Sequence, residues 1–153
     1  MKKTHFKRKP VKVTSLDSRF QDVLAEAHKT FSTYTRLKNA DKKGNVKCFT
    51  CPSTMHYTFM HLGHYINRDY LRTAFLEENK VQCPVCNIAK DGNLDVYAQK
   101  LKDMYGNDVI DRLNFLKVHG KLLDKVDLLE KISHWKKEIK KMKEAIDILE
   151  IYS

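Results

Sequence analysis

Two Cys-x2-Cys knuckles, Cys48/Cys51 and Cys83/Cys86, are separated by 31 residues. Together they supply four thiolates, the donor set that Zn²⁺ takes tetrahedrally in closed structural sites. An all-thiolate site leaves no open position for water, so a metal held this way folds a domain and does not act on a substrate. Its binding contributes on the order of 10 kcal/mol at neutral pH. An iron–sulfur cluster also uses four cysteines, but knuckle pairs this far apart suit zinc better.

Further polar side chains lie between and after the knuckles. They are Gly63-His64-Tyr65-Ile66-Asn67-Arg68, then Thr73-x-Phe75-x-Glu77-x-Asn79, then Gln82-Cys83-x-x-Cys86-Asn87-x-x-Lys90-x-Gly92-Asn93. A module that only binds zinc has no need of His64, Asn79 and Asn87 in this order. The arrangement resembles the His-Asn-His (HNH) nuclease motif. The run from Cys48 to Leu113, which also includes Leu94, Tyr97 and Tyr105-Gly106, resembles the phage NinG (Rap) recombination nuclease family. The Cys-x-x-Cys-Asn ending is also similar to phage junction resolvases of the endonuclease VII type.

These resemblances imply an α+β, mainly helical fold with a zinc-clamped ββα-metal core, an N-terminal helix and a long C-terminal helix. They also imply a His and an Asn facing each other across one catalytic Mg²⁺ (or Mn²⁺). The implied activity is cleavage of branched DNA, such as Holliday junctions and D-loops, during recombination.

Phosphodiester hydrolysis needs a base for the water, a cation for the developing charge and stabilisation of the departing oxygen. His64, with an ordinary pKa near 6.5, is suited to act as the base. Asn79 or a backbone carbonyl would fix its tautomer through the other ring nitrogen. Asn87 offers a neutral oxygen to Mg²⁺, a hard ion that accepts few protein ligands. Many superfamily members carry Asp before the catalytic His, whereas this chain has Gly63, which leaves a second magnesium ligand to be chosen among His61, Glu77 and Asp91. Arg68, Arg72 and Lys90 are candidate phosphate contacts, together with Lys7, Arg8 and Lys9 of the N-terminal segment. The competing readings are a zinc-stabilised DNA-binding module without catalysis and a general HNH nicking nuclease.

The elements that must position these groups follow from periodicity. A basic arm is expected over 1–14, a nuclease domain with its N-terminal helix over 15–120, and a long helix over 121–153. In the first helix, Leu16 to Asn39, one stripe carries Phe20, Val23, Leu24, Ala27, Phe31, Tyr34 and Leu37. Strand character is expected at Val46–Cys51 and Tyr57–Ile66, and helices over 94–105 and 108–118 with Gly106 as a stop. Leu128, Ile132, Trp135, Ile139, Met142, Ile146 and Leu149 recur at 4-3-4-3-4-3, a heptad seam for the chain's own core or for a homodimer.

The chain has 153 residues, 29 Lys plus Arg against 19 Asp plus Glu and a net charge of +10, so one domain with an acidic partner such as DNA is expected. Residues 1–12 contribute +6, residues 13–47 +3, residues 98–153 +2, and the cysteine-bearing stretch 48–97 sums to −1. The positive charge thus frames the centre and is available to grip a polyanion, including through Lys136, Lys137, Lys140, Lys141 and Lys143. No apolar run approaches the roughly 20 residues that span a bilayer. The basic N-terminus lacks the apolar stretch of a secretory signal, so a reducing cytoplasm is expected, the host's if a phage encodes the chain.

Overall fold

The computed structural model describes residues 15–152, with side chains over 19–147. The expected arm, with Lys7, Arg8 and Lys9, lies outside the described residues, as does the side chain of Leu149. The fold is mixed α and β and mostly helical. Its elements are α1 (Ser15–Lys38), β1 (Asn45–Lys47), β2 (Thr54–His56), β3 (His61–Gly63), β4 (Lys80–Gln82), α2 (Leu94–Tyr105), α3 (Val109–His119) and α4 (Lys125–Tyr152). A 3-10 turn at Tyr57–Phe59 and a π-helical turn at Val85–Ala89 complete it. Among the described residues no helix is long and apolar enough to cross a membrane.

Helices α1 to α3 follow their apolar spacing to within two residues, whereas α4 begins four residues later than the expected 121. The strands are shorter than their sequence implies: Cys48 already turns into the first knuckle, where its N–H reaches Ser53 O at 2.8 Å, and β1 closes a hairpin with β2. Of the Tyr57–Ile66 stretch only His61–Gly63 is strand, because Tyr57–Phe59 coils into the 3-10 turn. The partner of β3 is the antiparallel β4, with His61 opposite Gln82 and Gly63 opposite Lys80.

Three apolar clusters hold these pieces. Val46, Met60 and Val81 pack around Cys48, Cys83 and Cys86. Ala27 and Phe31 of α1 bury Leu128, Ile132 and Trp135 of α4, with Leu62 and Phe75 against them. Phe31 meets Trp135, and Leu37 shares a cavity with Met142 and Ile146 further along, so α1 and α4 run in the same direction. The described part of the heptad seam therefore lies on the chain's own α1. Ile66, Tyr97, Leu101, Val109 and Leu113 form the third cluster.

Two polar ties lock the β3–β4 pair into this frame. Fully buried Tyr97 accepts from the Lys80 amide at 2.6 Å, and its hydroxyl lies 3.1 Å from both Gly63 O and Glu78 O. Burial holds its pKa far above the ordinary tyrosine value. From α1, Arg36 donates to Tyr57 O at 2.9 Å and Met60 O at 3.3 Å, anchoring the turn that leads into β3.

Candidate functional site

The two knuckles converge. The four sulfur atoms of Cys48, Cys51, Cys83 and Cys86 lie within 4.8 Å of one another, and Cys51 Sγ is 3.7 Å from Cys83 Sγ. A tetrahedron with Zn–S bonds of about 2.3 Å has edges of about 3.8 Å, so the donor set and its spacing fit a structural metal such as zinc. Backbone amides support the sulfurs as thiolates: Cys83 N–H points at Cys48 Sγ (3.3 Å) and Cys86 N–H at Cys83 Sγ (3.5 Å). Hydrogen bonds from Ser53 hold the Cys51 thiol down to about 6, whereas burial pushes Cys83 up to about 11. A divalent cation among them would deprotonate all four.

A cavity of about 350 Å³ opens beside this centre, and His64, Asn87, Arg68 and Asp91 line it together. Each is placed by a separate device. His64 follows β3 directly, and its Nε2 lies 3.2 Å from the carbonyl oxygen of Ala74. Asn79, which is buried, donates from Nδ2 to the same oxygen at 3.0 Å and to Thr73 O at 3.0 Å. A carbonyl only accepts, so in the neutral ring Nε2 carries the proton and Nδ1 the lone pair. Burial draws the His64 pKa down to about 4, with nearby His28 and Arg68 adding to the effect against the backbone hydrogen bonds to Ala74 and Leu62. The imidazole is therefore neutral at physiological pH.

Asn87 follows the last of the four cysteines on the π-helical turn, and its Nδ2 is 3.2 Å from His61 Nδ1. With the NH₂ turned to His61, Oδ1 has no partner among the described residues. Asp91, Gly92 and Asn93 take positive φ in succession (46°, 86° and 49°). This left-handed run is pinned to the cysteine frame by Gly92 N–H on Cys86 O (2.9 Å) and Asn93 Nδ2 on Thr50 O (3.3 Å). The same run carries Asp91 to the cavity.

Gly63 has a packing reason to lack a side chain. A Cβ there would sit 2.1 Å from Gln82 Oε1 and 2.8 Å from its Cδ. Gln82 is fully buried and donates from Nε2 to Thr50 Oγ1 (2.9 Å) and Gly92 O (2.7 Å), stitching both knuckle regions together. The space beside Gly63 is filled by this amide.

Other anticipated residues lie elsewhere. Glu77 is exposed and lines a separate cavity of about 240 Å³ with Lys38, Lys80 and Lys131. Arg72 is tied by Nε to Gly120 O at 3.0 Å, Lys90 is exposed beyond the cavity lining, and Asn79 lines not this cavity but the separate one that holds Glu77. His61 meets the site only through Asn87. Conversely, α1 contributes His28 and Ser32, and Asn67 joins from the loop after β3. His28 rests against Phe75 with ring centroids 4.9 Å apart, and burial lowers its pKa. In the sequence it is one polar residue beside the apolar stripe of an amphipathic helix, with nothing local to mark it.

No curated protein and no solved structure matches the chain. A family model described as "Bacteriophage Lambda NinG protein" matches residues 2–145, nearly the whole length, and the chain belongs to the NinG family.

Proposed function

We propose that the protein is a Mg²⁺-dependent, structure-specific DNA endonuclease of the HNH type that cleaves branched recombination intermediates, such as Holliday junctions and D-loops, by phosphodiester hydrolysis. The observation that carries this reading is the cavity itself. It combines a neutral histidine of fixed tautomer, an amide oxygen, a carboxylate and a guanidinium beside a structural cysteine cluster. In the proposed assignment β3, β4 and the turn bearing Asn87 form the ββα unit.

His64 takes the proton of the attacking water at Nδ1, while Ala74 O holds Nε2–H and keeps the ring from rotating. Asn79 acts at one remove, by fixing that carbonyl. Arg68, exposed at the rim, orients the phosphate through its planar donor fork. Asn87 Oδ1 and Asp91 are hard oxygen donors of the kind Mg²⁺ accepts, with His61 steadying the Asn87 amide. Apart from the cysteines, no three His, Cys, Asp or Glu ligand atoms cluster among the described residues. Such a sparse set suits an ion that keeps most of its waters. When bound, the ion supplies charge stabilisation to the developing phosphorane and leaving oxygen.

The test is incubation of the native chain with a four-way junction and with a linear duplex, in Mg²⁺ and in EDTA. We expect Mg²⁺-dependent cutting of the junction at least tenfold faster than of the duplex. Absence of cutting with either DNA would overturn the nuclease assignment and leave a zinc-stabilised binding module. Equal cutting would leave a general nicking nuclease.

A further inference from the structure

The His64 cavity continues into a second depression of about 520 Å³ that it meets at His28, Ser32 and Arg68. One wall of this second space is a single stripe of α1, Gln21, Ala25, Lys29 and Ser32 at four- and three-residue spacing, and the opposite side is Arg68 and Asp69. The stripe from Gln21 to Ser32 spans about 16 Å at 1.5 Å per residue. A stacked DNA strand advances roughly 3.4 Å per nucleotide, so the groove has length for about five nucleotides.

Its chemistry is that of a phosphate track. Gln21, Ala25 and Lys29 are exposed, and the small side chains of Ala25 and Ser32 leave the floor open. Neither Lys29 nor Arg68 has an ion-pair partner among the described residues, and Asp69 is the one acid lining the space. By contrast, three lysines of the basic α4 face are already paired, Lys136 with Glu26 at 2.9 Å, Lys141 with Glu138 at 2.9 Å and Lys140 with Glu144 at 4.0 Å. Cationic groups without partners, in a groove that leads out of the candidate catalytic cavity, are where one strand of a polyanion gains most.

We propose that this groove between α1 and the Arg68–Asp69 loop binds the backbone of the DNA strand that flanks the phosphate held at His64. The proposal rests on the nuclease reading of that cavity and adds to it the path of the substrate. α1 is then part of the substrate site and not only a packing partner for α4. His28, where the two spaces join, marks the passage from the groove to the cavity.

The experiment compares binding of a fluorescent four-way junction by the native chain, A25E, K137E and Lys29→Ala, with Ca²⁺ in place of Mg²⁺ to hold off cutting. Ala25 and Lys137 are both exposed on helices, and thermal melts check that both variants fold. A25E alters the charge by one unit and K137E by two, so a general electrostatic effect would make K137E the more damaging. The groove predicts the reverse, with Kd raised at least tenfold by A25E and less than threefold by K137E. Lys29→Ala should raise Kd three- to tenfold and reduce the slope of log K against log salt by about 1. Binding by A25E within threefold of the native chain, or weaker binding by K137E than by A25E, would overturn the proposal. Cutting by the native chain in Mg²⁺ is read in a separate arm. A native chain that binds but does not cut sinks the nuclease reading, while one that cuts although A25E binds normally sinks the groove.

Discussion

His64 and Asn79 meet on a single atom, the carbonyl oxygen of Ala74, with His64 Nε2 at 3.2 Å and Asn79 Nδ2 at 3.0 Å. The two side chains are fifteen residues apart in sequence and come from different ends of the loop between β3 and β4. Their shared acceptor couples the orientation of the candidate base to the anchoring of that loop.

Asn79→Ala removes two N–H donors from a buried position and leaves the Thr73 and Ala74 carbonyls short of partners. A stability loss of about 1–3 kcal/mol is expected, read by thermal or urea unfolding. Cleavage should fall further than this loss explains, about 10- to 100-fold in kcat at a temperature where the variant is folded, with junction binding retained. An unchanged kcat in the folded variant would show that the shared acceptor does not orient His64.

Burial lowers the His64 pKa from 6.5 to about 4, which sets two pH dependences. The base stays neutral well into acid, so the acid limb of cleavage should have its midpoint near pH 4 and not near 6.5. For stability, the unfolded chain protonates this histidine near 6.5 while the folded chain resists until about 4. The unfolded state then binds more protons in that window, and stability falls as pH drops through it by about 1.4 kcal/mol per unit from this residue. Above 6.5 the residue contributes no pH dependence. Melting temperatures at pH 7 and pH 5 should differ less for His64→Gln than for the native chain; an equal difference would contradict the buried, neutral ring.

Gly63 and Gln82 should be strongly coupled. Gly63→Ala forces its new Cβ into the Gln82 amide and is expected to cost about 1–3 kcal/mol. Because Gln82→Ala removes the obstructing atoms, the double variant should be more stable than the two single losses predict, by at least about 1 kcal/mol. Additive losses in a denaturant cycle would show that the amide does not fill the space beside Gly63.

One zinc per chain is expected by elemental analysis, and chelation or Cys86→Ser should unfold the knuckle region. The cluster of Val46, Met60 and Val81 is small and shares its interior with the cysteines themselves, so little else is available to hold β1 and β4 together. A chain that carries no metal and melts identically with and without chelator would contradict the structural-metal assignment.

The cysteine frame and the four long helices were legible because their signals are local: paired Cys spacing, an apolar stripe in α1, and Gly106 with φ 100° ending α2. The strands were legible only in part: β1 and β3 fall in the expected stretches, but β2 and β4 were missed, since three residues carry no alternation that separates strand from turn. Of the candidates His61, Glu77 and Asp91, that only Asp91 lines the His64 cavity was not readable, because it depends on the left-handed Asp91–Asn93 run, while Glu77 lines another cavity. His28 was invisible for a tertiary reason: it enters the site only because α1 packs beside β3. The heptad of α4 was read correctly as a seam, but only the tertiary structure shows α1 lying in it.

Single-turnover cleavage of a four-way junction in Mg²⁺ by His64→Ala, beside its binding to the same junction in Ca²⁺, tests the central claim most directly. We predict binding within about threefold of the native chain and cleavage reduced at least 10³-fold. Cleavage by His64→Ala at a rate near that of the native chain would contradict the assignment of this cavity as the catalytic centre.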